Sequence, residues 1–279
     1  MAVDWYTEKH TPHAGITLEI SRRLFDQKSP FQHIEVVETV EYGNMLLLDG
    51  CVMITDRDEF VYHEMITHPA LVAHPNPQRV LVIGGGDGGT VREVIRHAAV
   101  RQVTLVEIDG MVIDVCRKYF PAVACGLDDP RVDVQVADGF AHLDAHQGAY
   151  DVILVDSTDP VGPAEVLFTV DFFRKVKAGL APGGVAVFQS ENPLYWGDLI
   201  AKMHRDLAPL FAHVGLYLAS IPTYPGGLWS FSICSDVVDA RKSPAPAPLP
   251  FQDQLKYFTP AVFKGAFALP QFVKKLVQP

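Results

Sequence analysis

The middle of the chain reads Val80-Leu-Val-Ile-Gly-Gly-Gly-Asp-Gly-Gly89, and a helical pattern follows it at residues 90–95. An apolar strand, a tight glycine turn and the start of a helix form the usual layout of a nucleotide site. Gly84, Gly86 and Gly89 match the spacing G-x-G-x-x-G, and Glu107 lies 23 residues beyond the first of them. Asp87 is unusual in this loop, because a carboxylate there would repel a pyrophosphate. We therefore expect a nucleoside without phosphates that carries a positive charge near Asp87.

From residue 79 onward, strand and helix patterns alternate. Strands are predicted at residues 80–83, 103–107, 132–137, 150–155 and 185–188, and helices at about 90–97, 110–119, 139–146 and 169–180. Alternating units of this kind indicate a parallel sheet with helices on both faces. Two further strands, at 214–220 and 228–234, are joined by a short loop, which predicts an antiparallel edge. The predicted fold class is α/β, with a Rossmann-like sheet that is mostly parallel and antiparallel at its C-terminal edge.

The N-terminal part has a different pattern, which is typical of antiparallel β structure. Turn residues at 41–44 and at Asp49-Gly50 separate short strand patterns within residues 31–55. A helix is predicted at residues 58–72, with Asp56 or Asp58 as its cap. We accordingly divide the chain into a small antiparallel β domain, residues 1–58, and a Rossmann-like catalytic domain, residues 59–279.

Composition and charge narrow the class of protein. The chain has 279 residues, 48% of them hydrophobic and 20% charged, and a net charge of −10. The length suits one medium domain plus a smaller one. The charge argues against binding to nucleic acid or an anionic membrane, and it suits small cationic substrates. Four cysteines without paired spacing, no signal pattern and no apolar run of about 20 residues predict a cytoplasmic protein with reduced thiols.

Carboxylates follow successive predicted strands. They are Asp87 after the first, Glu107 and Asp109 after the second, Asp138 after the third, and Asp156 and Asp159 after the fourth. Any one of them would also serve as a cap for the following helix, but together they favour a ligand site, since ligands bind at the carboxyl ends of strands in open α/β sheets. Glu107 suits the two hydroxyls of a ribose, and Asp138-Gly139 suits an adenine amino group.

Asp156 and Asp159 form the sharpest local signal. They leave an apolar strand three residues apart and enter a loop with Pro160, Gly162 and Pro163, which can close over a ligand. We interpret the pair as a cation site in which one carboxylate accepts a proton; the alternative is an Asx-turn followed by a cap. His63 and His68 are five residues apart, not four as a zinc-binding helix requires, so no metal site is predicted.

Taken together, these segments resemble the spermidine synthases, the aminopropyltransferases of polyamine synthesis. The resemblance extends in the family's order over nearly the whole chain. It rests on residues 42–50, 56–65, 84–89, 92–94, 106–109, 138–139, 156–163, 221–225 and 266–270. It implies a methyltransferase-like Rossmann domain behind an N-terminal β domain, and a homodimer or homotetramer.

The resemblance also implies roles for individual residues. Asp156 matches the proton acceptor of the family. The positions that would hold the nucleoside are Gln32, Asp87, Glu107, Asp138, Gly139 and Pro163. The positions that would surround the amine are Tyr62, His63, Asp87, Asp156, Asp159 and Tyr224. Residues 189–197 and Trp229 match variable positions, which leaves the preferred length of the amine open.

The implied reaction transfers the aminopropyl group of decarboxylated S-adenosylmethionine to putrescine, giving spermidine and methylthioadenosine. The donor is a co-substrate, and neither a cofactor nor a metal is implied. Asp87 would pair with the donor's ammonium group and repel the carboxylate of ordinary S-adenosylmethionine. Asp156 would accept or relay a proton from the amine, while Tyr62 and Tyr224 position the nitrogen.

Other functions stay open. An S-adenosylmethionine-dependent N-methyltransferase acting on a diamine would use the same fold, and an aminopropyltransferase could prefer cadaverine, agmatine or spermidine. An NAD-dependent oxidoreductase fits the glycine spacing, although Asp87 opposes a pyrophosphate. A non-catalytic polyamine-binding protein would need to lack the acid or the donor site, whereas Asp156 and Glu107 are both present. Turnover assays with each donor, and titration with NAD, separate these alternatives.

Overall fold

The N-terminal sheet consists of five antiparallel strands in chain order. In a computed structural model that describes residues 4–160 and 162–278, apart from the side chain of residue 163, these strands are β1 (Asp4–Thr11), β2 (Ala14–Lys28), β3 (His33–Thr39), β4 (Gly43–Leu48) and β5 (Cys51–Thr55). Strands β3 to β5 occupy the region predicted to be β. Strands β1 and β2 lie outside the predicted strands. The sequence of β1 is largely polar, but in β2 Ile16, Leu18 and Ile20 alternate with polar residues, a strand pattern that the prediction missed.

The second sheet has seven strands. They are β6 (Arg79–Gly84), β7 (Gln102–Glu107), β8 (Val132–Val136), β9 (Tyr150–Asp156), β10 (Leu180–Gln189), β11 (His213–Ala219) and β12 (Trp229–Ser235). Their order is β11-β12-β10-β9-β6-β7-β8, with parallel pairing from β10 to β8 and antiparallel pairing of β12 with both of its neighbours. The predicted fold class is confirmed, including the antiparallel C-terminal edge.

Helices cover both faces of this sheet. They are α1 (Glu59–Ala73), α2 (Gly89–Ile95), α3 (Gly110–Tyr119), α4 (Pro121–Ala124), α5 (Gly139–Ala145), α6 (Val170–Gly179), α7 (Gly197–Leu207), α8 (Pro260–Ala266) and α9 (Gln271–Val277). Along β6, Val80 and Val82 belong to one buried core, and Leu81 belongs to the other, together with Phe172 and Phe173 of α6. Burying one such aliphatic side chain contributes about 1.5–3 kcal/mol, so the strand is stabilised from both sides.

Helix α1 joins several parts of the chain through acidic side chains. Asp58 precedes it, but the predicted cap is wrong: the carboxylate accepts hydrogen bonds from the Thr223 N–H (3.0 Å) and hydroxyl (2.8 Å) instead of from the helix. The Asp58 carboxylate binds Thr223 and not the helix, because the buried N–H of Thr223 needs a hydrogen-bond partner away from water. Asp56 likewise bonds the N–H of Asn44. Glu64 accepts three N–H bonds from residues 256–258 near the C-terminus.

The proposed division at residue 58 falls between the end of β5 and the start of α1. Within residues 4–160 and 162–278, none of the helices combines the length and apolar character that crossing a bilayer requires.

Candidate active site

A cleft of about 250 Å³ lies at the carboxyl ends of the central parallel strands. Strands β6 and β9 are neighbours in the sheet. The connection after β6 leads to β7 on one side, and the connection after β9 leads to β10 on the opposite side, which leaves a crevice between them at the carboxyl ends of the strands. Side chains of β4 and β5, among them Leu46 and Ile54, cover the crevice from the N-terminal sheet. Both sheets therefore form its walls.

Most of the predicted site residues come together in this cleft. Its lining includes Gln32, Tyr62, His63, Asp87, Glu107, Asp138, Gly139, Asp156, Asp159 and Tyr224. The side chain of Pro163 lies outside the described part of the chain. The structure thus brings the candidates to one place, while the role of each remains a prediction.

Asp156 ends β9 with its carboxylate buried between α1 and α2. The hydroxyls of Tyr62 and Thr90 donate to its two oxygens, each at 2.6 Å. Gly85, at φ +66°, is needed beside it, since a Cβ there would lie 2.7 Å from Asp156 Oδ2. Burial, and after it the charge of Asp87, raises the pKa of Asp156 to about 6, against the lowering effect of His63 and the two hydroxyls. This carboxylate can accept a proton near neutral pH.

Asp87 is held by the protein on one side and faces the cleft on the other. Its Oδ1 accepts the Gly89 N–H at 2.6 Å and lies 3.1 Å from His63 Nε2, at ion-pair distance. Burial opposes ionisation, but His63 and the Gly89 N–H outweigh it and lower the pKa of Asp87. The glycine loop therefore contains the predicted carboxylate, and this carboxylate lies at ion-pair distance from His63.

At the end of β7, Asp109 links Glu107 to Gln32. Glu107 is buried and accepts the Asp109 N–H at 2.8 Å, and burial raises its pKa to about 7. Asp109 accepts hydrogen bonds from the Gln32 side chain (3.0 Å) and from Ser29 (2.6 Å), and it caps α3 through the Met111 N–H. Gln32 of the N-terminal part is in this way fixed against the second sheet.

Asp138 both caps a helix and lines the cleft. Its Oδ1 accepts the Phe140 N–H at 2.8 Å at the start of α5. The simple explanation of a strand-end carboxylate as a cap thus holds for Asp138 and Asp109, and for Asp138 it is compatible with a ligand contact through the other oxygen. Gly139 allows close packing here, since a Cβ would lie 2.5 Å from Ile83 Cγ2.

Aromatic rings line the cleft around Asp156. Tyr224 lies 5.7 Å from Tyr62 and 4.7 Å from Trp229, measured between ring centroids. The Tyr224 hydroxyl donates to the Met53 carbonyl at 2.6 Å, so its proton is directed to the backbone. The Tyr62 hydroxyl donates to Asp156, as noted above. Both tyrosines are thus anchored before any substrate arrives.

Sequence reasoning missed several polar side chains of the site, among them Glu8 and Thr90. Glu8 reaches the cleft from β1, where it accepts the Val52 N–H at 2.7 Å, and burial, and to a lesser extent Asp159, raises its pKa to about 7. Nothing in the polar sequence of β1 marks this residue. Thr90 bonds Asp156, and its place directly after the glycine run was the signal that could have identified it.

The cleft is strongly acidic. Seven carboxylate residues line it: Glu8, Asp49, Asp87, Glu107, Asp138, Asp156 and Asp159. Among the lining residues that the structure describes, His63 is the sole basic side chain, and neither lysine nor arginine is present. Burial and mutual repulsion raise the pKa values of several of these carboxyls, and a cationic ligand would relieve that repulsion. The geometry therefore favours ligands with more than one positive charge.

The histidine pair of α1 is divided between two environments. His63 faces the cleft, whereas His68 lies 2.9 Å from His97 and 3.3 Å from Glu93 in a separate buried cluster. In residues 4–160 and 162–278 no group of three or more histidine, cysteine, aspartate or glutamate side chains is arranged so that it could hold a metal ion.

Comparisons with known proteins agree with this architecture. Residues 59–242 match the family model of the spermine/spermidine synthase domain, and residues 4–56 match that of the spermidine synthase tetramerisation domain. The polyamine aminopropyltransferases of Bacillus subtilis (strain 168) and Shouchella clausii (strain KSM-K16) are each 49% identical, over 98% of this chain and 99% of theirs.

Solved structures with the same fold include two spermidine synthases. One, a complex with the transition state analogue AdoDATO, has a TM-score of 0.94, and the enzyme from Thermotoga maritima has 0.93. Each is 38% identical and matches 98% of this chain and 94% of its own.

Proposed function

This chain belongs to the spermine/spermidine synthase family, and we propose that it transfers the aminopropyl group of decarboxylated S-adenosylmethionine to putrescine, producing spermidine and methylthioadenosine. The observation that supports this choice is the charge of the cleft: seven carboxylate residues and a single histidine, without lysine or arginine among the described lining residues. The donor brings a sulfonium and an ammonium, and the diamine brings two ammonium groups. Such ligands suit an anionic cleft, whereas a pyrophosphate does not.

The reaction needs one neutral amine, and Asp156 is the base that we assign to it. Putrescine is protonated at both ends near pH 7, so one nitrogen has to lose a proton before it can attack. That proton passes to Asp156, whose pKa of about 6 lies close to the working range. Tyr62 and Thr90 hold the carboxylate in place by their hydroxyls, so little reorganisation is needed at the moment of proton transfer.

The bond changes then balance without a cofactor. The free electron pair of the nitrogen forms a bond to the carbon of the donor's aminopropyl group that is attached to sulfur. The carbon–sulfur bond breaks, and its electron pair stays on sulfur, which turns the sulfonium into the neutral thioether of methylthioadenosine. Asp87 binds the donor's ammonium group and Glu107 its ribose, which fixes the reacting carbon relative to the amine.

Putrescine is the proposed acceptor because the cleft contains further acidic groups besides Asp156, which can bind the second ammonium group of a diamine. Asp159 and Glu8 both line the cleft, and burial, followed for Glu8 by the charge of Asp159, raises the pKa of each carboxyl. The far ammonium of a short diamine would stabilise their ionised forms.

We also propose that the protein is a homodimer or homotetramer, which the match of residues 4–56 to a tetramerisation domain supports.

A panel of donors and acceptors tests the proposal. Decarboxylated and ordinary S-adenosylmethionine are each paired with putrescine, cadaverine, agmatine and spermidine, and methylthioadenosine and S-adenosylhomocysteine are quantified by chromatography. We expect methylthioadenosine from the decarboxylated donor, with the highest kcat/KM for putrescine. S-adenosylhomocysteine from the ordinary donor would instead show a methyltransferase, and a higher kcat/KM for another amine would overturn the acceptor assignment.

A further inference from the structure

A line of alternating charges runs from the surface of α2 into the cleft. Arg92 of α2 donates two hydrogen bonds to Glu59, at 2.9 and 3.0 Å. Glu59 lies four residues before His63 on α1 and contacts its Nδ1 at 2.5 Å. His63 Nε2 in turn lies 3.1 Å from Asp87 Oδ1. The order of charges is therefore positive, negative, positive and negative, with Asp87 at the cleft end.

His63 is placed so that only its protonated form suits both neighbours. Its side chain is fully buried, and each ring nitrogen faces a carboxylate oxygen. A neutral imidazole would direct a lone pair at one of these oxygens, whereas the imidazolium ion presents an N–H to both. Burial favours the neutral ring, but Asp87 and Glu59 outweigh it and raise the pKa of His63 to about 10.

Glu59 decides how much charge the three residues present to a ligand. With Glu59 and Asp87 ionised and His63 protonated, the group has a net charge of −1, and Asp87 is the member that lines the cleft together with His63. Without the Glu59 carboxylate, His63 and Asp87 would cancel.

We propose that Glu59, anchored by Arg92, is a positioning residue for the cationic donor. It accepts a hydrogen bond from Nδ1–H of a protonated His63 and neutralises the charge of that ring, so that the negative charge of Asp87 can bind the donor in the cleft. This inference rests on the proposed function only for the identity of the donor. The ring of His63 is also fixed sterically, since it packs against Gly89, where a Cβ would lie 2.2 Å from Cε1.

The groups around His63 determine the pH dependence that follows. It faces Glu59 and Tyr62 from its own helix, Asp87 from the loop after β6 and Asp156 from β9, with Arg92 of α2 behind Glu59. Loss of Glu59 lowers the pKa of His63 toward the neutral range. The variant then binds a cation poorly while His63 is protonated, and regains affinity as the pH rises and His63 becomes neutral.

The test compares three buried carboxylate variants by calorimetric titration with decarboxylated S-adenosylmethionine. For Glu59→Gln at about pH 7 we expect the dissociation constant to rise about ten- to a hundredfold. At about pH 9 most of the loss of affinity in Glu59→Gln should disappear. Near pH 8, binding of the donor to this variant should release protons from His63. Asp156, Glu107 and Glu8, with pKa values of about 6, 7 and 7, are largely ionised near pH 8 and contribute little to this release.

Two controls separate charge from packing. Glu59→Asp keeps the charge but shortens the side chain, and it should bind the donor nearly as the unmodified protein does. Glu93→Gln removes another buried carboxylate beside Arg92, one that faces His68 and Arg96 instead of His63, and it should leave donor affinity and its pH dependence unchanged. If Glu59→Asp is as weak as Glu59→Gln, or Glu93→Gln is equally weak, the role of Glu59 is one of packing and the inference is wrong.

A measurement on the unmodified protein does not depend on the folding of any variant. NMR titration of the ring carbons of His63, assigned with His63→Gln, should show the chemical shifts of a protonated imidazole that stay nearly constant between about pH 6 and pH 9. The shifts of a neutral ring, or a midpoint below about pH 8, would overturn the inference. If the unmodified protein neither binds the decarboxylated donor nor turns over any amine, it is the proposed function that fails, and the NMR result still decides the protonation of His63.

Discussion

Replacing Asp156 with asparagine isolates the proton transfer from the rest of the site. The side chain keeps its size, and the amide oxygen can still accept the hydroxyl of Tyr62 or Thr90, both of which lie 2.6 Å from the carboxylate in the unmodified protein. The other hydroxyl can rotate and accept from the amide nitrogen. We therefore expect both substrates to bind, while the nitrogen of the amine finds no base.

The size of the effect follows from the role of a general base. Its loss costs about 10²–10⁴ in rate, which corresponds to roughly 2.7–5.4 kcal/mol in the activation free energy. The pH dependence gives a second signature. Asp156 is active when ionised, so with its pKa at about 6 the kcat/KM of the unmodified protein should be level above that pH and fall about tenfold per unit below it. The variant should lack this limb.

The assay measures methylthioadenosine release at saturating donor over about pH 5 to pH 9, with amine concentrations from well below to well above KM, so that kcat and kcat/KM are both obtained. Thr90→Val serves as the matched control, because it removes one hydroxyl from the carboxylate and leaves the base. The Thr90 hydrogen bond lowers the pKa of Asp156, so its removal should move the acidic limb to higher pH with only a modest loss at the plateau. A loss below tenfold in Asp156→Asn, or an acidic limb that persists in that variant, would refute the assignment of the base.

Three further substitutions test other parts of the site. Glu107→Gln should raise the dissociation constant of methylthioadenosine by about 10- to 150-fold, equivalent to roughly 1.5–3 kcal/mol, and an unchanged value by calorimetry would contradict the ribose contact. Asp87→Asn should shift the ratio of dissociation constants for decarboxylated and ordinary S-adenosylmethionine by about one to two orders of magnitude; a constant ratio would leave Asp87 a purely structural role in the turn. Asp58→Asn should lower the melting temperature and raise the KM for the amine more than that for the donor, because Asp58 holds the loop of Tyr224 through Thr223, and equal changes in both KM values would speak against that coupling.

Sequence patterns identified the elements that are apolar and buried. The predicted strand at 103–107 lies within observed β7, and the helix at 110–119 coincides with α3. Buried strands of a parallel sheet are continuous apolar runs, and the glycine loop marks where the first one ends. Helix α7 lies outside the predicted helices, although its buried residues at 200, 203, 204 and 207 have helical spacing, so its pattern was available.

Other features depend on tertiary contacts that no local pattern records. Half of the residues of the edge strand β1 are exposed, yet this strand places Glu8 in the cleft. Asp58 has the spacing of a helix cap, but a loop 165 residues away takes its hydrogen bonds. The pairing of Arg92 with Glu59 also joins two helices. Charged residues of this kind look like solvated surface in a sequence, because their partners are distant along the chain.

The acidic residues at the start of α1 set a limit on how the protein can be divided and recombined. The segment Pro75-Asn-Pro77 has the composition of a linker and begins two residues after the end of α1. A chimera spliced there would take Asp58 and Glu64 from one parent, and Thr223 and residues 256–258, which they bind, from the other. A splice between Thr55 and Asp58 keeps the bonds of α1 to Thr223 and residues 256–258 within one parental sequence. Wherever the five-stranded sheet comes from, Asp58 and α1 therefore have to come from the same parent as Thr223 and residues 256–258.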